Sequence, residues 1–417
     1  MGIAFFITDQ AEIRTDVRTE AEKRRKNMKK KIISVFLCAA MAVTLIAGCG
    51  APAAETGGSE GGDSSSASSE GIPADEIKVG FVHVSDPSDM GYTYNHDLGT
   101  QEMQEALGLS DDQIVNKYNV PEGAECDTAL RELVDAGCNI IFATSFGFED
   151  YVKEVAAEYP DIQFCHATGY QAADSGLDNF HNYFASIYEG RYLAGIAAGL
   201  KTESNKLGYV AAFPFAEVIS GYTAFYLGAK SVNPDVTMDI MYTNSWNDPT
   251  VESQVAKALI DRGCDVISQH SDSTAPATTA EENGVWQVGY NNDMIEAAPE
   301  ASLISPRIDW GIYVTEAVQA VIDGEAIPAD WCRGLADEAV YLSPLNTDIA
   351  AEGTQEAIDE AREKLISGEL HVFDGPLSGV SPEGEKYEVP EGEYFHEQEE
   401  SSAPSWQYII EGCNVVE

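Results

Sequence analysis

Residues 206–246 read KLGYVAAFPFAEVISGYTAFYLGAKSVNPDVTMDIMYTNSW, and their pattern of apolar residues indicates the fold class. An apolar run over 206–213 is followed by a helical pattern over 217–232 and by a second apolar run over 236–245. Short apolar runs bounded by turn residues predict buried strands, and the segment between them is long enough for a helix. The stretch therefore predicts a strand–helix–strand unit with parallel strands.

The same alternation extends over most of the chain on both sides of this unit. Further strands are predicted at 77–84, 138–145, 162–168, 264–271 and 285–291. Further helical patterns lie at 124–136, 150–158, 187–200 and 252–262. Strands separated by helices favour doubly wound parallel sheets, and seven strands are more than one small sheet needs. The sequence therefore predicts an α/β protein with two lobes.

The N-terminal part of the chain has the pattern of an export signal. From Met28 it reads MKKKIISVFLCAAMAVTLIAGC, with a basic triplet, a short apolar run and small residues before Cys49. The end of this stretch resembles a bacterial lipobox, so 28–48 is predicted to be a lipoprotein signal peptide and Cys49 the lipidated residue. An ordinary membrane anchor is the alternative. Residues 1–27 place charged residues ahead of the signal, and we expect that they are not translated.

A tether and a folded body follow the signal. Residues 49–75 are rich in Gly, Ser, Ala and Glu, a composition that cannot bury a core and that is typical of a flexible linker. Residues 76–417 form a body too long for a single compact core. We therefore expect the body to stand away from a membrane to which Cys49 anchors it.

The charge of the chain excludes some classes of partner. It has 24 Lys and Arg against 70 Asp and Glu, a formal net charge of −46. Such a surface repels the phosphates of nucleic acids and anionic lipid headgroups. Nucleic acid is therefore excluded as a partner, and a neutral or cationic small molecule is favoured over an anionic one.

The cysteines and the familiar catalytic motifs give no sign of a metal, a cofactor or an enzyme. Six cysteines follow Cys49, none in CxxC spacing, and a Cys332–Cys413 bridge is one option among them. The seven histidines are scattered without an HExxH pair, and no GxSxG elbow or phosphate-binding glycine loop is present. We therefore expect no cofactor, no metal and no catalytic activity.

Aromatic and acidic residues follow several predicted strands. They occur in the stretches 86–97 (DPSDMGYTYNHD), 146–148 (FGF), 246–248 (WND), 270–272 (HSD) and 291–293 (NND). In open parallel sheets, ligands bind beyond the carboxyl ends of the strands. These stretches therefore predict a ligand-binding cleft, with scattered loop aromatics as the alternative. Tyr94, Asn95 and His96 receive no role.

Taken in order, several stretches resemble the basic membrane protein family, whose members are substrate-binding lipoproteins of ABC importers. The resemblance covers nearly all of 76–417 and rests on GYTYNHD at 91–97, YEGRYLAG at 188–195, EVIS at 217–220, NSWND at 244–248, VGYNND at 288–293 and HVFDGP at 371–376. It implies a type I periplasmic-binding-protein-like fold, with two doubly wound lobes hinged by three crossings. It also implies that a purine binds between the lobes.

The resemblance assigns roles to individual residues. Tyr92 matches an aromatic that stacks on the base, with Thr93 beside it, and Phe146 and Trp246 match further aromatics that face the ligand. Asp293 matches an acidic residue that accepts hydrogen bonds from ribose or base. The candidate site is completed by Asp248, His270 and Trp310, although Trp310 could equally fix the helix that follows it.

The family pattern Ser-Phe-Asn in the first loop is replaced here by Gly91-Tyr92-Thr93. We therefore interpret the ligand as a purine in the broad sense, either a nucleoside or a nucleobase such as adenine. The crossings are expected near 183, 305 and 341. Lobe 1 would then comprise 76–184 and 305–340, and lobe 2 would comprise 185–304 and 341–417.

The resemblance implies a monomer that is lipid-anchored on the extracytoplasmic face of the cell membrane and that works with an ABC permease and its ATPase. Three alternatives stay open. The same fold could bind a sugar or a signalling molecule, or the chain could be a ligand-sensing ectodomain or a nucleoside hydrolase. Sugar sites also combine stacked aromatics with Asp and Asn, so the sequence separates these ligands poorly.

Overall fold

The structure, a computed structural model, describes residues 71–417. The predictions for 1–27, for the signal 28–48, for Cys49 and for most of the tether lie outside these residues. Within 71–417, no helix combines the length and the apolar character that crossing a membrane requires.

Lobe 1 is built on a six-stranded sheet in which every pair of neighbouring strands is parallel. Its strand order is β11-β5-β4-β3-β1-β2. These strands are β1 (Val79–Val82), β2 (Ile114–Lys117), β3 (Ile140–Ala143), β4 (Gln163–Ala167), β5 (Phe180–Ala185) and β11 (Asp330–Arg333). The helices that accompany them in sequence are α1 (Tyr92–Leu107), α2 (Ala124–Asp135), α3 (Glu149–Glu158), α4 (Ala172–Ser175) and α9 (Trp310–Asp323).

Lobe 2 is built on a five-stranded sheet that is also parallel throughout, with the order β16-β7-β6-β8-β9. Its strands are β6 (Lys206–Ala211), β7 (Thr237–Tyr242), β8 (Val266–Gln269), β9 (Trp286–Val288) and β16 (Cys413–Val415). Its helices are α5 (Ile187–Lys201), α6 (Ala216–Val232), α7 (Pro249–Asp261) and α8 (Ala275–Glu282), followed later in the chain by α10 (Thr354–Ser367).

The chain passes between the two sheets through a short antiparallel ribbon. Strand β10 (Pro306–Ile308) pairs with β12 (Val340–Leu342), in the register Arg307 opposite Tyr341. Asn95 of α1 is tied to this ribbon, because its Nδ2 donates to the carbonyl of Ile308 at 2.9 Å and its Oδ1 accepts from Arg307 at 3.1 Å. The ribbon therefore connects the first helix of lobe 1 to the crossing between the lobes.

The strand ranges predicted from apolar runs are confirmed, since each of the seven contains a strand of one of the two sheets. The central strands are buried on both faces, as β3 shows with Ile140, Ile141, Phe142 and Ala143 all inaccessible to solvent. Such continuous burial is what parallel sheets covered by helices require. The α/β fold with parallel sheets in two lobes is confirmed, whereas the exact lobe boundaries stay predictions.

A C-terminal segment adds an element that the sequence did not predict. Strands β13 (Leu377–Val380), β14 (Lys386–Val389) and β15 (Ile409–Ile410) form a small antiparallel sheet. Strand β16 then pairs with β7 at the edge of the lobe 2 sheet. The six cysteines of the described residues are free thiols, so Cys332 on β11 and Cys413 on β16 are not joined.

Candidate functional site

A pocket lies where the carboxyl ends of the strands of both lobes meet. The space between its lining residues, including the open solvent at its mouth, is about 330 Å³. Lobe 1 contributes residues that follow β1, β3 and β4, and lobe 2 contributes residues that follow β6, β7, β8 and β9. The lining residues are Val84, Tyr92, Thr144, Ser145, Phe146, Thr168, Glu217, Trp246, His270, Asp272 and Tyr290.

Phe146, Phe213, Phe215 and Trp246 form an aromatic cluster across the lobes, here called the aromatic wall, of which Phe146 and Trp246 line the pocket. Phe146 of lobe 1 stacks on Phe215 of lobe 2, with ring centroids 5.0 Å apart. Phe215 also stacks on Phe213 at 5.1 Å, and Phe213 meets Trp246 edge to face at 5.0 Å. Phe215 is 36% exposed, although it belongs to this cluster. The wall offers flat apolar faces of the kind that a planar ligand can stack on.

Tyr92 packs against the buried rings of His96 and Trp310 in lobe 1. It meets His96 edge to face at 4.6 Å and Trp310 at 5.9 Å, and His96 stacks on Trp310 at 4.0 Å. Trp310 is fully buried and also contacts Tyr183. Tyr92 therefore stands at the pocket on a rigid base, while Trp310 packs in the core beneath it.

A second group of buried residues lies on the lobe 2 side. His270 Nε2 is 3.3 Å from Glu217 Oε1, and the ring of Tyr290 lies 4.8 Å from that of His270. The guanidinium of Arg191 lies 3.6 Å from the centre of the Tyr290 ring and donates to the carbonyl of Gln269 at 2.6 Å. The Tyr290 hydroxyl and His270 Nδ1 are buried and have no hydrogen-bond partner among the described residues.

Burial sets the protonation of these groups. It raises the pKa of Glu217 to about 7, and it raises the pKa of Asp272 well above its usual range, with neighbouring acidic residues adding to the effect. Burial lowers the pKa of His270 well below its usual range, and the nearby Arg191 lowers it further. His270 is therefore a neutral imidazole at pH 7, beside a carboxyl group that ionises near that pH.

The two lobes contact each other around the pocket. Asn247 Nδ2 donates to Ser85 Oγ at 2.9 Å, and Trp246 Nε1 donates to Glu122 Oε2 at 3.3 Å. The carboxyl of Glu217 in lobe 2 also receives a hydrogen bond from Thr168 in lobe 1. These contacts describe a closed arrangement in which residues of both lobes surround the same space.

The structure brings four of the predicted site residues to the pocket: Tyr92, Phe146, Trp246 and His270. Four others lie outside its lining. Thr93 is buried, and its amide donates to Asp89 Oδ2 at 3.0 Å. Asp248 caps α7 by accepting from the amides of Thr250 and Val251, both at 3.1 Å.

Asp293 and Trp310 are the other two predicted residues outside the lining. The Asp293 carboxylate accepts from the amide of Ile295 at 3.0 Å, and burial raises its pKa. Trp310 begins α9 and packs on His96 in the lobe 1 core. Its position corresponds to the alternative in which it fixes the helix that follows.

The sequence did not single out Glu217, Asp272, Tyr290 and Thr168, which line the pocket. Asp272 lies in the strand-end stretch 270–272, and Tyr290 lies in VGYNND at 288–293, one of the stretches that carry the resemblance, so a signal was present for both. Glu217 lies in the first turn of α6 and opens EVIS at 217–220, a stretch that carries the resemblance but assigns this residue no role. Thr168 directly follows β4 and has no distinctive local pattern. Within the described residues, no group of three His, Cys, Asp or Glu could hold a metal ion.

Comparison with known proteins gives the family. The profile described as "ABC transporter substrate-binding protein PnrA-like", of the Bmp family, matches residues 76–374. A purine-binding protein of Brucella abortus is 38% identical over 305 residues, covering 73% of this chain and 85% of that protein. A putative ABC transporter glucose-binding protein of Haloferax volcanii is 33% identical over 384 residues, covering 88% and 95%. An ABC transporter nucleoside-binding protein of Lactococcus lactis is 25% identical over 374 residues, covering 83% and 99%.

Solved structures agree in fold. A solute-binding protein of an ABC transporter system from Aeropyrum pernix has a TM-score of 0.62 at 18% identity, covering 73% of this chain and 94% of that one. Another from Conexibacter woesei has a TM-score of 0.59 at 19% identity, covering 71% and 98%. At these identities the similarity concerns the fold alone. The profile match and the first two relatives establish that the chain belongs to the Bmp family of PnrA-like ABC transporter substrate-binding proteins.

Proposed function

We propose that this substrate-binding protein captures a purine, as a nucleoside or as a nucleobase such as adenine, and delivers it to the permease of an ABC importer. The observation that carries the proposal is the pocket between the lobes, whose lining combines aromatic rings with buried polar groups. Relatives named for purine and nucleoside binding support it.

The chemistry of the pocket suits a flat heterocycle. Stacking on Trp246, Phe146 or Tyr92 provides a large contact area at a small cost in side-chain entropy. The carboxyls of Glu217 and Asp272, the imidazole of His270 and the hydroxyl of Tyr290 provide hydrogen bonds for the edge of the ring.

Delivery would depend on closure of the lobes. Ligand held between two hinged lobes stabilises the closed form, which the permease and its ATPase then distinguish from the open form. The contacts of Asn247 with Ser85 and of Trp246 with Glu122 are of the kind that closure makes and opening breaks. We expect a monomer that binds without chemical turnover, so incubation with inosine should release no free base.

As an ABC transporter substrate-binding protein, the chain works on the extracytoplasmic side of the membrane. The finer proposal is that Cys49 carries a lipid and that 49–75 tethers the body to the membrane. Growth with a labelled fatty acid should label the protein and leave a Cys49→Ala variant unlabelled. Equal labelling of both would exclude Cys49 as the anchor.

A thermal-shift screen against purine bases, purine nucleosides, pyrimidines and sugars tests the ligand. A ligand that binds only the folded state raises the free energy of unfolding by mass action, by about 2.7 kcal/mol at a ligand concentration of a hundred times its Kd. The unfolding midpoint rises accordingly. Trp246→Ala should remove the purine-induced shift. Trp286→Ala is the matched control, because Trp286 lies in the same lobe but packs against Lys201 away from the pocket.

A sugar is the second candidate, because the Haloferax relative is named for glucose. Sugar sites also use aromatic rings and carboxylates, and the same screen separates the two ligands. A shift with glucose and none with any purine or nucleoside would replace the proposal. A purine shift that survives Trp246→Ala would keep the ligand class but move the site away from the aromatic wall.

A further inference from the structure

The polar part of the pocket is rich in hydrogen-bond acceptors. Glu217 and Asp272 are two carboxyl groups in the lining, and no Lys or Arg is among the lining residues. Arg191 lies behind the Tyr290 ring, where it donates to the carbonyl of Gln269. A ligand in this pocket therefore meets two acidic groups without meeting a cation in the lining.

Glu217 is held in position but keeps accepting capacity. His270 Nε2 approaches its Oε1 at 3.3 Å, and Thr168 hydrogen-bonds to it from the other lobe. Because His270 is neutral and its Nδ1 has no partner, the tautomer protonated on Nε2 donates to the carboxylate. A carboxylate has about four lone-pair sites, so two donors leave room for the N–H groups of a ligand.

Asp272 is tied to the aromatic wall. Its amide donates to the carbonyl of Trp246 at 2.9 Å, and its carboxyl interacts unfavourably with Glu217, Asp89, Glu252 and Glu122. Neighbouring carboxyl groups resist ionising together unless donors are placed among them. An N–H-rich ligand supplies such donors, whereas a ligand that presents carbonyl oxygens adds further acceptors.

Tyr290 gives an independent indication of a ligand. It is 1% exposed and lines the pocket, and its hydroxyl has no partner among the described residues. Buried hydroxyls are nearly always hydrogen-bonded, so a ligand atom is the natural partner of this one. A hydroxyl donor beside the Glu217 carboxylate matches a heterocycle edge with an amino group next to a ring nitrogen.

We propose that Glu217, with Asp272 beside it, selects purines that carry an exocyclic amino group, such as adenine, over oxopurines of the same size, such as hypoxanthine. The inference rests on the proposed function. The adenine amino group donates to the carboxylate and an adjacent ring nitrogen accepts from a donor such as the Tyr290 hydroxyl. Hypoxanthine in the same position places its carbonyl oxygen against the ionised Glu217 carboxylate and its adjacent ring N–H against the Tyr290 hydroxyl. The carboxylate and the carbonyl oxygen are then two buried acceptors without a donor between them.

Titration calorimetry at pH 8, where Glu217 is ionised, tests the selection with adenine, hypoxanthine and unsubstituted purine. We expect adenine to bind at least about tenfold more tightly than hypoxanthine, because unmet buried hydrogen bonds discriminate strongly. In Glu217→Gln the adenine-to-hypoxanthine ratio should fall toward one, since the amide both donates and accepts. Asp272→Asn gives a second reading if Glu217→Gln does not fold.

Glu189→Gln is the matched control. Glu189 is a carboxyl outside this pocket whose pKa burial also raises to about 7, and it accepts from the amide of Leu335 at 2.7 Å. Its variant should keep the wild-type ratio. Equal affinities of the wild type for adenine and hypoxanthine would overturn the inference and leave purine binding intact. So would a ratio unchanged in Glu217→Gln and Asp272→Asn. Binding of no purine or nucleoside at all would overturn the proposed function as well.

Discussion

Gly91 is a residue at which the backbones of the two lobes meet. A Cβ placed on Gly91 would overlap the carbonyl oxygen of Asp272 and lie 2.6 Å from its carbonyl carbon. Because the obstacle is backbone, no change of rotamer relieves it. Gly91→Ala is therefore expected to keep the lobes apart and to weaken purine binding by at least about fivefold, since overpacking typically costs about 1 to 3 kcal/mol.

Calorimetric titration with adenine and thermal unfolding without ligand measure this effect. The unfolding midpoint of ligand-free Gly91→Ala should stay within a few degrees of the wild type, because the open form does not contain the clash. Gly123→Ala serves as the control, since a Cβ there meets only the flexible end of Glu125 at 3.1 Å. Unchanged affinity in Gly91→Ala would mean that the ligand is bound without this approach of the lobes.

The position after a strand points to Tyr92, Phe146, Trp246 and His270, which line one pocket because the carboxyl ends of parallel strands share one edge of the sheet. The same signal also pointed to Asp248, where a local rule competes. Asp followed by Pro at the start of a helix is a capping pattern, and the Asp248 carboxylate accepts from two backbone amides. The contribution of Glu217 could not be predicted, because it depends on how the lobes meet.

At the scale of elements, apolar runs predicted strands in which no more than a single polar residue interrupts the apolar sequence, as His166 does in β4 and Asp239 in β7. Strand β5 was missed although it is buried along its whole length, because His181 and Asn182 interrupt its apolar pattern. Both are satisfied by tertiary partners. His181 bonds to Gln163 at 2.8 Å, and Asn182 accepts from the amide of Ala172 at 2.7 Å. The spacing of apolar residues along the chain does not predict such hydrogen-bond partners, because they lie on other elements.

Trp406 packs between the C-terminal antiparallel sheet, where it contacts Tyr387 of β14, and Phe373, which precedes that sheet. Trp406 is 0% exposed, stacks on Phe373 at 4.9 Å and donates from Nε1 to the carbonyl of Tyr408 at 2.8 Å. Trp406→Ala is expected to cost about 3 to 5 kcal/mol of unfolding free energy, because it leaves a large cavity and an unpaired carbonyl. Trp406 and Phe373 do not line the interlobe pocket, so the affinity of the folded Trp406→Ala protein for adenine should not change.

Chemical denaturation measures the loss of stability, and titration of the folded variant measures affinity. Tyr387→Ala is the comparison, because Tyr387 belongs to the same aromatic cluster but is 38% exposed. Its cost should be clearly smaller than that of Trp406→Ala. A loss of affinity in Trp406→Ala at full folding would show instead that the C-terminal sheet acts on the pocket.

For the molecule as a whole, two sets of buried groups set opposite pH dependences. Burial raises the pKa of Glu189 and Glu217 to about 7, so the folded state binds protons that the unfolded chain, with carboxyl pKa values near 4.5, releases. Their contribution to stability is present at low pH and is lost as the pH rises through 7. Burial lowers the pKa of His83 and His181 to about 4, so their contribution is present above 6.5 and is lost as the pH falls toward 4.

Added together, the two opposite pH dependences predict a pH at which the free energy of unfolding is greatest. Between pH 8 and about 7 the histidines are mostly neutral in both states, so acidification chiefly protonates the buried carboxyls and the unfolding midpoint should rise. Below about 6.5 the unfolded chain protonates its histidines while the folded protein resists, and the stabilising trend should slow and then reverse toward pH 4. Thermal unfolding at constant ionic strength from pH 4 to 8 measures this curve. Glu189→Gln should flatten the limb above pH 6.5, because the amide takes up no proton. A midpoint that falls steadily from pH 8 to 6.5 would mean that these carboxyls are already ionised and paired in the folded protein.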